Sequence, residues 1–386
     1  MLNQQYAVHP AVDSHIKPLL MSLSRAKKLD ISCGTIEIDP MTSSCGDVKA
    51  DRFKLSVPYC KQNLTWNVFF DSQCPDMGPD FIFNDNNFLS DMDINTLSAK
   101  IPSLAAWNPT NKDALLNVLI ELLSCYKKYQ IQLMHKEARL SAEYNMLMGS
   151  IDVKLEDVEV VLLPFGFKPT EARFVISLSV NVSQLQMYNF ETEIETAILL
   201  VTFSGADWSR IVPQLYFSKS LEEILIQRTG PLNMPPFPAD QYLLNYVEEI
   251  KKYISDKVNC VVQMYDKRIE YITAFTSLRR LSIIEVDVIN YNYAVCLIDQ
   301  NDFHCIIHIK LPLEFPTIPP LVRLESPYHM ISPTDSYYEI VENYPYNVHW
   351  SPRKMITQLT QFICRFAINR FKCNVTKPCS KNNLKS

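Results

Sequence analysis

The sequence predicts an α+β protein in which one structural unit, an antiparallel meander followed by a helix, occurs near each end of the chain. Hydrophobic and polar residues alternate through short segments at both ends, as they do in strands with one buried face. At each end, two prolines four residues apart follow the meander, and a Trp-x-Pro tripeptide comes 28 or 30 residues later. Apolar residues at helical spacing follow each tripeptide.

The first copy is predicted to follow an amphipathic helix near residues 13–28. Its strands are expected at residues 29–38, 52–59 and 64–70. A short turn at residues 61–63 joins the last two strands into a hairpin with one buried face, because both strands alternate cleanly. A proline-bracketed strand then ends at Phe83. A long polar stretch leads to a helix whose apolar stripe runs from Leu115 to Leu133.

The middle third is predicted to be a less regular α+β region. Strands are expected at residues 173–182 and 195–203 and from Pro213 onward, with a short helix at residues 220–227. The segment 230–238 contains four prolines and cannot be regular structure. A helical stripe begins near residue 240 and continues as far as residue 275.

The second copy repeats the order of the first. Its strands are expected at residues 281–289, 293–298 and 303–311, with a tight turn at residues 299–302. A proline-bracketed strand ends at Leu324, and a long loop leads to a helix at residues 353–371. The repeat rests on ten residues, which match as Pro75 with Pro316, Pro79 with Pro320, Phe83 with Leu324, Trp107 with Trp350, and Pro109 with Pro352.

These patterns predict a division of the chain into five parts. The parts are an N-terminal helical segment (residues 1–28), the first copy (29–149), a middle α+β domain (150–260), the second copy (261–373) and a disordered basic tail (374–386). The tripeptide is missing from the middle part, although Pro213 and Phe217 are spaced as in a degenerate third copy.

Composition excludes several classes of function. The net charge is −5, so the chain lacks the basic character of a dedicated nucleic-acid binder. Its seven glycines are at least 12 residues apart, so no phosphate-binding glycine loop can be formed. We expect a soluble intracellular protein, because there is no signal-like start and no apolar run of about 20 residues. The eleven cysteines form no Cys-x-x-Cys pair and are expected to be reduced.

No catalytic or metal site is predicted, and no cofactor is expected. His304 and His308 have the spacing of a zinc-binding pair, but Cys305 stands where a metalloprotease has its general-base glutamate. The segment also alternates like a strand, so we interpret the pair as two histidines on one face of a meander.

The order of strands, prolines, Trp-x-Pro and helix resembles the ubiquitin-conjugating-enzyme fold. The second copy is the closer match, because Ser326 to His329 stands where that family leads into its His-Pro-Asn motif. In the first copy, Cys74 stands where the family has an aromatic residue. No cysteine lies between Cys74 and Cys125 or between Cys305 and Cys364, the intervals in which the family carries its nucleophile. Because thioester chemistry needs that thiol, both copies resemble the inactive ubiquitin-conjugating-enzyme variants, or UEV domains.

A tandem of UEV domains in a chain of this length resembles a family of scaffold subunits of deubiquitinase complexes. That resemblance implies a non-enzymatic adaptor that acts in the cytoplasm and the nucleus, in receptor deubiquitination and DNA-damage signalling. The implied partners are a zinc metalloprotease that cleaves non-degradative ubiquitin chains, an Abraxas-type coiled-coil scaffold and a von Willebrand A-type adaptor. Ubiquitin itself is left open as a partner, and neither nucleic acid nor membrane is expected.

Five tyrosines are the candidate partner-binding residues. They are predicted to lie in the loop between Leu324 and Trp350, and they are Tyr328, Tyr337, Tyr338, Tyr344 and Tyr346. Aromatic residues that line a groove suit extended proline-rich segments, so a proline-bearing tail of a partner is the predicted ligand. An alternative is that the tyrosines only close the loop over the core. Two alternative functions remain open: a ubiquitin-binding accessory of an active conjugating enzyme, and a conjugating enzyme with a displaced cysteine.

Overall fold

The computed structural model describes residues 12–375, apart from residues 13, 27–28, 30, 32–33, 43–49, 72, 91, 166, 189, 239, 279–280 and 301. The predicted basic tail therefore lies outside the described residues, except for its first two positions. The chain divides into two compact units. The first contains Met1–Val180, Thr196–Ser218 and Met234–Lys252, and the second contains Asn181–Glu195, Lys219–Asn233 and Tyr253–Ser386. The predicted domain boundaries stay predictions.

The fold is a mixture of antiparallel sheets and helices, as the sequence predicts. The strands in the described part of the chain are β1 (Glu37–Thr42), β2 (Arg52–Tyr59), β3 (Gln62–Phe69), β4 (Asp80–Phe83), β5 (Val158–Leu163), β6 (Glu171–Asn181), β7 (Ile194–Ser204), β8 (Arg210–Tyr216), β9 (Leu281–Val286), β10 (Tyr293–Gln300), β11 (Phe303–Lys310), β12 (Leu321–Met330) and β13 (Ser336–Ile340). They form three sheets with sequential strand order, β1 to β4, β5 to β8 and β9 to β13.

The α-helices in the described part are α1 (Lys17–Arg25), α2 (Ile94–Lys100), α3 (Pro102–Ala105), α4 (Ala114–Met134), α5 (Ala138–Met148), α6 (Lys219–Thr229), α7 (Leu243–Thr276), α8 (Pro352–Phe362) and α9 (Ile368–Val375). A π-helical turn, Ile363–Ala367, separates α8 from α9, so the helix predicted at residues 353–371 is not uniform. Short 3₁₀ helices lie at Leu155–Asp157 and Ser183–Tyr188.

In the first unit, the hairpin of β2 and β3 has the predicted alternation of buried and exposed residues. Its turn lies at Cys60 and Lys61, one residue before the predicted segment, and both residues have positive φ angles of 49° and 56°. Two such residues in succession match the twist of a tight hairpin. The backbone N–H of Cys60 donates to the buried carboxylate of Glu159 at 2.7 Å, which stabilises this turn without a glycine.

In the second unit, helices cover one face of the sheet β9 to β13. The core beneath them combines Ile307 and Leu324 from the sheet with Ile272 of α7, Ile356 of α8 and Phe371 of α9. The loop predicted after Leu324 is partly strand, because β12 continues to Met330 and β13 occupies Ser336–Ile340. Polar residues lie on both faces of β13, so it has no apolar stripe and nothing in the pattern distinguishes it from a loop.

Several other predicted elements differ from the structure. The strand expected at residues 29–38 is instead β1, Glu37–Thr42, and the proline-bracketed segment before Phe83 contributes only four residues to β4. The helices α2, α3 and α5 and the strand β5 were not predicted. The helices α2 and α3 contain no buried residue, so they lack an apolar stripe.

The ten residues of the sequence repeat occupy partly matching positions. Pro79 directly precedes β4, and Pro320 directly precedes β12. Trp107 and Trp350 each pack, partly buried, against the core beside their own sheet. Other members differ. The bond before Pro316 is cis, Pro75 lies in an exposed turn, and Pro352 begins α8 whereas Pro109 lies five residues before α4.

Two features are absent from the described residues, a membrane-spanning helix and a metal-binding group. No described helix is long and apolar enough to cross a membrane. Within the same residues, no group of three or more histidine, cysteine, aspartate or glutamate side chains is arranged to hold a metal ion.

Candidate interaction surfaces

The structure does not gather the five predicted tyrosines into one loop. Tyr328 lies on β12, and Tyr337 and Tyr338 lie on β13. Only Tyr344 and Tyr346 are in the segment between β13 and Trp350, which carries no regular structure. The prediction of a single tyrosine-lined loop is therefore wrong, because β13 pairs with β12 and directs alternate side chains to opposite faces of the sheet.

Tyr344 and Tyr346 have structural contacts. The hydroxyl of Tyr346 donates to the carbonyl oxygen of Pro316 at 2.5 Å, and that of Tyr344 donates to the carbonyl oxygen of Pro320. Burial raises the pKa of Tyr346 to about 12 and raises that of Tyr344 as well. The two rings lie 6.4 Å apart. These side chains thus fasten their loop to the proline-bracketed segment before β12.

Tyr337 connects β13 to α9. Its ring centroid lies 5.5 Å from that of the buried Phe371. Its hydroxyl donates to Glu339 Oε1 at 2.7 Å, and the same oxygen accepts a bond from Asn374 Nδ2 at 2.9 Å. Tyr337 therefore belongs to the helix-covered side of the sheet.

Tyr338 and Tyr328 remain accessible, with 47% and 67% of their surface exposed. The guanidinium of Arg323 lies 5.2 Å from the centroid of the Tyr338 ring. The ring of Tyr328 contacts that of His304 edge to face at 6.1 Å. Of the five tyrosines, these two are the ones that a partner can reach.

Tyr338 belongs to a surface that we call the open face, the side of the sheet β9 to β13 away from the helices. Strand register places two rows of four residues across β10, β11, β12 and β13. The rows are Val295, His308, Arg323, Ile340 and Leu297, Ile306, Glu325, Tyr338. None of the eight side chains is fully buried. Each row combines aliphatic residues with polar ones.

The polar centre of the open face is a three-residue charge cluster. Glu325 Oε2 lies 2.6 Å from Arg323 Nη2 and 2.9 Å from His308 Nε2. Partial burial lowers the pKa of His308, and the Arg323 charge lowers it further, against the opposing effect of Glu325. His308 is therefore mainly neutral at pH 7. The sequence predicts that His308 lies on one face of a meander but does not reveal the cluster, which depends on the register between β11 and β12.

The corresponding face of the sheet β1 to β4 has a different character. The row across its four strands is Asp39, Lys54, Asn67 and Ile82. Only Ile82 in this row is apolar, and 56% of its surface is exposed. The two sheets thus share a sequential strand order, but this row of the sheet β1 to β4 has one apolar side chain, whereas each row of the open face has at least two.

The buried thiols of the sheet β9 to β13, those of Cys296 and Cys305, are unsuited to nucleophilic chemistry. Burial raises the pKa of Cys296 to about 11 and that of Cys305 to about 12. Because the thiolate is the nucleophile, these groups are unreactive at neutral pH. The Oγ atom of Ser326 lies 2.9 Å from His329 Nδ1. The same oxygen accepts hydrogen bonds from the backbone N–H groups of Tyr328 and His329, as in a local side-chain turn.

Comparison with known proteins matches residues 10–330 to the family described as brain and reproductive organ-expressed protein (BRE). The chain belongs to the BRE family. It is 29% identical over 370 residues to the zebrafish (Danio rerio) protein named BRISC and BRCA1-A complex member 2, covering 92% of this chain and 93% of that protein. It is 30% identical over 377 residues to the protein of the same name from Branchiostoma floridae, with 95% of each chain covered.

Membership of the BRE family agrees with the resemblance found in the sequence and bears on the type of site to expect. The names of both relatives describe those proteins as members of a complex. In this BRE-family chain, the open face and the exposed tyrosines Tyr328 and Tyr338 are the candidates that arise from the second unit.

Proposed function

We propose that this chain is a non-catalytic scaffold subunit of a BRISC-type or BRCA1-A-type deubiquitinase complex. It bridges a metalloprotease and Abraxas-type core to a von Willebrand A-type adaptor, and it acts in the cytoplasm and the nucleus. The observation that carries the proposal is family membership over nearly the whole chain, because the relatives are named as members of these complexes. Specificity of the complex for non-degradative ubiquitin chains would reside in the metalloprotease.

The proposed architecture is a pair of UEV-like domains around β1 to β4 and β9 to β13. Its support is a sequential antiparallel meander in both places, with a proline directly before the fourth strand and a tryptophan packed beside each sheet. The inactive character of both domains is supported by the sequence, which has no cysteine between the fourth strand and the following helix in either copy.

The open face is the proposed docking surface for a partner subunit. Tyrosine and arginine are enriched among binding hot spots, and Tyr338 and Arg323 lie side by side on this face. Tyr338 and Ile340 form its accessible edge, with 47% and 48% of their surfaces exposed. We expect an extended partner segment to lie across this edge, where the predicted proline-bearing tail of a partner can contact Tyr338 and Tyr328.

Replacing Tyr338 and Ile340 together by aspartate tests the docking surface. Because both side chains are half exposed, the variant should stay folded, while affinity for one assembly partner falls at least about tenfold. A control with the same change in net charge replaces Asn67 and Ile82 by aspartate on the polar face of the sheet β1 to β4. Titration of each purified partner against both variants provides the measurement. Unchanged affinity of every partner for the folded Tyr338→Asp/Ile340→Asp variant would exclude this surface.

The apolar rows of the open face also favour a second candidate function, a ubiquitin-binding accessory of an active conjugating enzyme. Titration of labelled ubiquitin against the chain distinguishes this candidate, because saturable binding that the Tyr338→Asp/Ile340→Asp variant loses would favour it over pure scaffolding. Incubation with ubiquitin, activating enzyme and ATP addresses the displaced-cysteine alternative. We expect no thiol-sensitive ubiquitin adduct to form.

A further inference from the structure

A groove on the first unit, formed by α1 and the beginning of α4, combines positive charge with an apolar floor. Its cavity measures about 640 Å³. Pro18, Met21 and Leu116 are among the apolar residues that line it. Three cationic residues, Lys17, Arg25 and Lys112, also line the groove. We call it the α1–α4 groove.

Helical spacing aligns the residues along both walls. On α1, Lys17, Met21 and Arg25 follow one another at four-residue intervals, so they share one face and span about 12 Å. On the other wall, Lys112 precedes α4, and Leu116 follows at the same interval. Met21 is 36% exposed, and Leu116 is partly buried. Each wall therefore presents cations together with accessible apolar groups.

The walls are held together beneath this surface. The hydroxyl of Ser22 on α1 donates to Asp113 Oδ1 at the start of α4. Leu19 and Leu23 of α1 are buried in the same core as Leu115 and Leu119 of α4. The two helices that form the groove are thus packed against each other within the first unit.

The charge of the groove contrasts with that of the whole chain. The protein has a net charge of −5, whereas the described residues that line the groove include three cations and one carboxylate, that of Asp113. In the described part of the chain, Lys17, Arg25 and Lys112 take part in no ion pair. A partner with acidic residues would therefore gain complementary charge that this chain does not supply.

We propose that the α1–α4 groove binds an acidic amphipathic segment of another subunit of the assembly. Apolar side chains of that segment contact Met21 and Leu116, and its carboxylates pair with Lys17, Arg25 and Lys112. Helix-in-groove recognition uses this combination of a central apolar stripe and flanking charges. The proposal rests on the proposed scaffold function, because the segment comes from a partner subunit.

Photocrosslinking in the purified assembly tests the groove directly. A photoreactive phenylalanine analogue replaces Met21 in the full chain, and mass spectrometry identifies the crosslinked peptide. We expect a segment of a partner subunit in which acidic residues outnumber basic ones. Charge reversal by Lys17→Glu, Arg25→Glu and Lys112→Glu should reduce the crosslink at least about tenfold. The matched control, Lys136→Glu, Lys168→Glu and Lys252→Glu, changes the net charge equally at exposed positions of the same unit and should leave the crosslink intact.

Several outcomes would overturn the proposal. One is a crosslink to this chain itself, to a second copy of it, or to a basic or neutral segment. Another is the absence of any crosslink, and a third is an equal loss of the crosslink in both charge-reversal variants. Thermal unfolding of each variant verifies that it is folded. Co-purification of the partners with the wild-type chain separates the two claims, because partners that assemble without a crosslink at Met21 contradict the groove and leave the scaffold function standing.

Discussion

At the scale of single residues, Arg268 shows how a charge is kept inside the second unit without a carboxylate. Only 1% of its surface is exposed. Its guanidinium donates to Asn292 Oδ1 at 2.8 Å and to the carbonyl oxygens of Pro312 and Leu313. Burial lowers the pKa of Arg268 to about 10, so it remains charged at neutral pH. The residue therefore fastens α7 to the loops before and after the strands β10 and β11.

Replacing Arg268 by methionine should lower the free energy of unfolding by about 2–4 kcal/mol, because buried acceptors lose charged donors. Arg228 provides the control, since it donates to the same Leu313 oxygen at 3.3 Å from a half-exposed position. Urea denaturation of Arg268→Met and Arg228→Met measures the difference. Equal losses in the two variants would contradict the role given to the buried guanidinium.

His308 gives a prediction about pH. Its pKa is lowered from 6.5 by burial first and by Arg323 second, while Glu325 and Glu285 act in the opposite direction. As the pH drops below 6.5, His308 therefore becomes protonated in the unfolded state at a higher pH than in the folded state. The free energy of unfolding falls as the pH drops through this range. Above pH 6.5 the residue is neutral in both states and contributes no pH dependence.

The variant His308→Gln should show a shallower loss of stability between pH 6.5 and the folded pKa of His308. Urea denaturation at several pH values measures the slope, and NMR titration of the imidazole gives its pKa directly. If the pKa of His308 lies above 6.5, the Glu325 carboxylate dominates and this account of the cluster is wrong.

At the scale of elements, β13 determines how the predicted site is arranged. It separates Tyr337, which packs against α9, from Tyr338, which faces outward. Tyr337→Ala should lower the free energy of unfolding by roughly 1–3 kcal/mol, below the cost of removing a fully buried aromatic ring. Tyr338→Ala should change it by about 0.5 kcal/mol or less, as at other exposed positions. Thermal unfolding compares them, and a larger loss for Tyr338→Ala would reverse their assignment.

The elements that the sequence predicts well are those with one buried face. The strands β2, β10 and β11 show period-two alternation, and α7 and its apolar stripe extend over much of their predicted range. The strand β5 was not predicted, because five of its six residues are buried and it therefore shows no alternation. A continuous apolar run does not distinguish a strand from a helix. Elements with little burial, such as α2 and β13, lack any pattern of this kind.

The open face and its tyrosines could be predicted only in part, because their arrangement depends on the register between strands. The sequence identifies the tyrosines near the second Trp-x-Pro but not which of them face solvent. The open face brings together Val295, His308, Arg323 and Ile340 from four strands. These residues become neighbours through register, and a shift of one residue in any strand would exchange its two faces. Period-two patterning alone does not determine that register.

At the scale of the whole molecule, the proposed function needs two surfaces that work at once. The open face lies on the second compact unit and the α1–α4 groove on the first. Each presents apolar groups beside charge, and neither needs a reactive thiol. A scaffold of this kind contributes by holding two partners in one particle, so its loss should affect assembly before it affects the chemistry of the metalloprotease.

The most direct measurement is a three-component reconstitution, in which the metalloprotease and Abraxas-type core and the von Willebrand A-type adaptor are mixed with and without this chain. Size-exclusion chromatography with light scattering reports the mass of the particles. We predict that core and adaptor elute together only when the chain is present, and that the Tyr338→Asp/Ile340→Asp variant gives less of this particle. Core and adaptor that form the same particle without the chain would contradict the proposed scaffold function.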